Sequence, residues 1–92
     1  MIIKEVIWLR QFAEKIERKH HVSRDEVEQL FLNRPTFQFA EKGDVPKEDL
    51  YRATGRTDAG RCLIVFFVHK QGGRALVISA RDATRGERRH YD

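Results

Sequence analysis

The sequence holds one cysteine, one methionine and two prolines in 92 residues. A lone cysteine excludes an internal disulfide and suits a reducing compartment, so a cytoplasmic protein is expected. The longest aliphatic and aromatic run, residues 63–68, falls far short of the ~20 residues a membrane helix needs, and no membrane partner is expected. The N-terminus carries an acid at Glu5 and lacks a small-residue cleavage pattern, so it does not read as a secretory signal. His20 and His21 are adjacent and diverge on a helix, His69 and His90 have no partner at ligand spacing, and Cys62 heads an apolar strand. Neither a metal site nor a cofactor is expected from that set. Nucleophile-elbow and dinucleotide motifs are also missing.

What is present is charge and a modest core. Hydrophobic residues make up 40% and charged residues 35%, enough for one domain over residues 1–92 with a largely ionic surface. The net charge is +4, but its placement is uneven. Residues 1–50 carry nine Lys/Arg and ten Asp/Glu, while residues 51–92 carry nine and four. Eight of the nine bases in the second half are Arg, the residue that forks onto phosphates, so a polyanion partner is one reading and an ordinary soluble surface the other.

Periodicity gives a coarse order of elements. Residues 2–8 alternate as a strand, then Leu9, Phe12, Ala13, Ile16 and His20 fall at helical spacing. Ser23 and Glu26 form a capping box, flanked by the Val22/Val27 staple, and Pro35 ends that second helix. Strands are expected at 36–40, 50–56, 62–69 and 74–80, the last three as an antiparallel meander, with a final helix over 81–91. Thr84 and Glu87 make a second capping box. The order β-α-α-β-β-β-β-α gives an α+β fold, helices packed on a mostly antiparallel sheet.

Three groups have the right residue types for phosphate chemistry. Lys15, Lys19 and His20 close the first helix, where the dipole favours a protonated imidazole; His20 serves either as a general acid or base or as a helix cap. Arg81, Arg85 and Arg88, with Thr84, Glu87 and Tyr91, set guanidinium, carboxylate and phenol groups along one short segment, either to grip a phosphodiester or as a solvated tail. Arg56 and Arg61 flank the turn Thr57-Asp58-Ala59-Gly60, which lacks the Lys-Ser/Thr pair and following helix of a phosphate loop. Phe37 and Phe39 share a strand face, available to a partner or for base stacking.

The stretch Trp8…Lys19-His20-His21-Val22-Ser23…Glu26, then Gly55-Arg56-Thr57-Asp58-Ala59-Gly60-Arg61, then Ile78-Ser79-Ala80-Arg81-Asp82-Ala83-Thr84…Glu87-Arg88-Arg89…Tyr91 resembles the BrnT toxin family. The resemblance spans nearly the whole chain in order. It departs at Leu9, Phe12 and Ile16, where many members are polar, and at His21, where Gly is usual. It implies a RelE-like ribonuclease toxin of a bacterial type II toxin–antitoxin system, one that cleaves RNA and is neutralised by a cognate, BrnA-like antitoxin encoded next to it, in a hetero-oligomer. Carried over by position, Lys19, His20, Arg81, Glu87, Arg88 and Tyr91 are the site candidates. The resulting expectation is a metal-independent endoribonuclease that uses the RNA 2′-OH as nucleophile. Arg81 and Arg88 hold the phosphate, Glu87 or His20 takes the proton, and His20 or Tyr91 returns one. Lys15, Lys19, Arg56, Arg61 and Arg85 contact RNA. The alternative is a non-catalytic basic module that binds nucleic acid or protein.

Overall fold

The computed structural model describes residues 1–91. Its elements are β1 (Glu5–Ile7), α1 (Arg10–His20), α2 (Arg24–Leu32), β2 (Thr36–Glu41), β3 (Leu50–Arg56), β4 (Cys62–Lys70), β5 (Arg74–Asp82) and α3 (Arg85–Tyr91). The five strands form one sheet in the order β1-β5-β4-β3-β2. β2 through β5 pair antiparallel, and the short β1 adds to β5 in parallel at the edge. The α+β architecture and the element order agree with the sequence reading.

α1 and α2 cover one face of the sheet. Ile16, Val22, Val27 and Leu30 pack there against Ala53, Leu63, Val65, Phe67, Val77 and Ala80. Burying a Leu, Val or Phe contributes about 1.5–3 kcal/mol each, so these few positions hold the helices on the sheet. Gly55 serves this packing rather than the turn that follows it: an added Cβ would stand 3.2 Å from both Leu30 and Pro35. The expected box at α2 is complete, with Ser23 Oγ accepting from the Glu26 N–H at 3.1 Å and Glu26 Oε1 accepting from the Ser23 N–H at 3.0 Å.

Two differences from the sequence reading bear on the site. β5 continues through Arg81 and Asp82, because β4 supplies ladder partners to both, Ile64 to Arg81 and Leu63 to Asp82. The final helix therefore begins at Arg85 rather than at 81, and Arg81 does not share a helical face with Arg85 and Arg88. β1 is three residues long rather than seven, since only Glu5, Val6 and Ile7 find register partners on β5. α1 ends on His21 in the left-handed region, at φ 54°, with its N–H donating to the Glu17 carbonyl. That geometry explains why glycine suits this position.

Candidate active site at the end of the fifth strand

Successive side chains on a strand point to opposite faces, so Arg81 and Asp82 diverge. Arg81 shares the open face of the sheet with its partner Ile64, and Asp82 shares the helix-covered face with Leu63. Two charged clusters grow from this one strand end.

On the open face, Arg81 forks onto Glu87 of α3, with Nη1 donating to Oε1 at 2.8 Å and Nη2 to Oε2 at 2.9 Å. The guanidinium lies over the Phe66 ring, 5.6 Å from its centroid. Glu87 also completes the expected α3 box: its Oε1 accepts from the Thr84 N–H at 2.8 Å, and Thr84 Oγ1 accepts from the Glu87 N–H at 3.2 Å. The Arg81 guanidinium, aided by the Thr84 N–H and opposed by burial, holds the Glu87 carboxyl down to about 2. The same pair raises Arg81 above its ordinary value. Thus one carboxylate fixes both the start of α3 and the direction of Arg81.

Beside this pair, α3 and strands β2 to β4 enclose a cavity of about 330 Å³ lined by Gln38, Arg52, Thr54, Ile64, Thr84, Gly86, Glu87 and His90. Arg52 gives its Nε to Gln38 Oε1 at 3.0 Å, and its terminal nitrogens have no partner among the described residues. Arg85, Arg88 and Arg89 are exposed along α3 and add positive charge outside the cavity. Tyr91 Oη donates to the Asn33 carbonyl at 3.4 Å, tethering α3 to the end of α2, and Tyr91 does not line the cavity.

On the helix face, Arg61 is fully engaged. Its Nε and Nη2 donate to Asp82 at 2.7 and 3.2 Å, Nη1 to the His21 carbonyl at 2.8 Å and to Glu26 Oε2 at 3.1 Å, and Nη2 to the His20 carbonyl at 3.1 Å. A guanidinium has five N–H donors, and these contacts use them all. Arg61 therefore ties the α1–α2 joint to β5 and keeps no donor for the substrate contact expected from sequence. Hydrogen bonds from Arg61, opposed by burial and aided by its charge and by His20, lower Asp82. Burial acts to raise Glu26 but is outweighed by the Ser23 N–H and Arg61, so it too is lowered.

The remaining expected residues lie apart from the cavity. His20 is partly exposed at the end of α1, on the Asp82 side of the sheet. Lys15 and Lys19 are exposed on α1. Arg56 Nη1 donates to the Gly60 carbonyl at 3.0 Å, within its own turn. The structure thus brings Arg81 and Glu87 together and separates them from His20 by the sheet. Sequence reasoning missed Arg52, Gln38 and His90. The available signal was strand alternation: Arg52 is the one charged side chain inside β3 before its last residue, and its register partner is Phe66.

The profile of the family described as "Ribonuclease toxin, BrnT, of type II toxin-antitoxin system" matches residues 8–87. The chain belongs to the BrnT family. The match runs from Trp8 to Glu87 and so takes in both clusters described above. The fold is shared with the crystal structure of the Brucella abortus ribonuclease toxin BrnT, at a TM-score of 0.61 and 18% identity, over 88% of this chain and 97% of that one. No curated protein sequence matches the chain. No helix among the described residues is long and apolar enough to cross a membrane.

Proposed function

We propose that the chain is an RNA-cleaving toxin whose scissile phosphodiester sits in the cavity between α3 and the open sheet face, and that a cognate antitoxin restrains it in the cytoplasm. Family membership supplies the RNA substrate and the antitoxin. One observation supports the place: Glu87, which aims the Arg81 guanidinium, lines the same cavity as Arg52, whose terminal nitrogens have no partner among the described residues.

RNA carries its own nucleophile, so the protein must position the phosphate, stabilise developing charge and move protons. Arg81 and Arg52 contact the non-bridging oxygens, where charge builds as the 2′-oxygen attacks phosphorus. Glu87, held to about 2, is a weak base at neutral pH and acts as the positioning residue for Arg81. His90 lines the same cavity and takes the 2′-OH proton. The bond from phosphorus to the 2′-oxygen forms, the bond to the 5′-oxygen breaks, and that oxygen leaves with a proton from solvent. Arg85 and Arg88 steer the RNA strand by charge.

Mass spectrometry of cleaved RNA tests the reaction. The expected ends are 2′,3′-cyclic phosphate, or its 3′-phosphate, with 5′-hydroxyl; 5′-phosphate ends exclude the 2′-OH mechanism. Induced expression tests the rival binding module, since growth arrest by the wild type that Arg81→Ala abolishes supports the enzyme.

A further inference from the structure

The ladder register aligns the open face into rows. Ile7 pairs with Leu76, Leu76 with Val68, and Val68 with Leu50, so four aliphatic side chains cross four strands in one line. All four are partly exposed. α1 and α2 pack on the other face, and α3 lines the cavity at the far end of this one. The next row toward that cavity pairs Phe66 with Arg52, and the row after it pairs Ile64 with Arg81. Rows on one face are about 7 Å apart, so a helix roughly 10 Å wide centred on the aliphatic row extends about 5 Å toward the Phe66 and Arg52 row, and the long Arg52 side chain spans the rest.

We propose that this row is the docking surface for an amphipathic, acidic helix of the antitoxin, which lays its apolar side on Leu50, Val68 and Leu76 and a carboxylate on Arg52. The regulatory half of this claim rests on the proposed function above: a helix seated there occupies Arg52, which lines the cavity. Ile7, Leu50, Val68 and Leu76 thus lie side by side, partly exposed, on a face that α1 and α2 leave uncovered, which suits the apolar side of a partner. Charge selects the occupant. Arg52, with uncommitted terminal nitrogens, flanks the strip on one side and the Lys70/Arg74 pair on the other, while Glu41 follows Leu50 at the β2 end of the row, so a partner's carboxylates meet bases on both flanks. A second copy would set two basic surfaces against each other. RNA bases stack on aromatic faces, and the four residues of the row offer none.

The test is calorimetric titration of the purified chain with the antitoxin expressed from the adjacent reading frame. The double variant Val68→Thr/Leu76→Gln should bind at least tenfold more weakly than wild type. Its RNA cleavage should stay within about twofold and its melting temperature within a few degrees. Antitoxin affinity within twofold of wild type in the folded variant overturns the proposal. So does loss of RNA binding with antitoxin affinity intact, which would give the row to RNA. So does a wild-type dimer in sedimentation that the variant abolishes, which would give it to a second copy. If the variant does not fold, hydroxyl-radical footprinting of the wild-type complex replaces it. Protection of Leu50, Val68 and Leu76 supports the surface, and protection confined to α1 and α2 overturns it. Antitoxin binding at the row by a chain that cleaves no RNA would keep the docking surface and remove the nuclease reading.

Discussion

Arg61 and Arg81 stand near the same end of the sheet, each facing carboxylates, yet they differ in what each guanidinium has left to give. Arg61 faces two carboxylates and two helix-end carbonyls and has no donor remaining. Arg81 holds one carboxylate and the Asp82 carbonyl, which leaves its Nε and one Nη2 hydrogen uncommitted, beside a cavity that also contains Arg52 and His90. Both pairs shift their acids downward, so a lowered carboxylate does not by itself separate a joint from a site. The count of donors still available does.

The comparison predicts opposite consequences for the two faces. The largest effect is expected on activity at the open face: His90→Ala should slow RNA cleavage by about 10²–10⁴-fold, the range for loss of a general base, while His20→Ala stays within a few-fold. Equal losses would join the clusters into one site. Arg52→Ala should cost about 10²-fold in cleavage with little change in melting temperature, since only its bond to Gln38 is lost. Arg61→Ala should do the reverse. It strands Glu26 and Asp82 and frees the end of α1, for a loss of about 2–3 kcal/mol, seen as a fall of roughly 10 °C or more in thermal unfolding.

Acid titration sharpens the same contrast. Glu87 is depressed in the folded state to about 2 from an ordinary 4.5, so its contribution to stability is complete above 4.5 and fades as pH falls toward 2. The stability gap between wild type and Glu87→Gln should be constant from pH 8 to about 5.5 and close below pH 4.5. A gap that closes near neutrality would contradict the ionised pair. The smallest expected effect is at the helix joint: His21→Gly should raise stability by up to about 1 kcal/mol, because His21 sits at φ 54°.

Much of the fold was legible because local and global signals agree. The Ser23/Glu26 and Thr84/Glu87 boxes appear where the residue types place them, and the apolar run of β4 is the central strand it reads as. The end of β5 was not legible. Arg81 and Asp82 are held in the sheet by Ile64 and Leu63, partners about twenty residues away that no local pattern reveals. Two residues of strand in place of helix turned Arg81 toward one face and sent Asp82 to the other. The sequence sets Arg81 close to Glu87 but does not show that Arg81 and His20 lie on different faces, nor the distant acceptors that surround Arg61.

The most direct measurement of which face receives RNA is an NMR titration of the ¹⁵N-labelled chain with a short RNA blocked at the 2′ position. Perturbations concentrated at Arg52, Ile64, Arg81, Glu87 and His90 are the predicted result. Perturbations confined to Lys15, Lys19, His20 and His21, with the open face silent, would contradict the account.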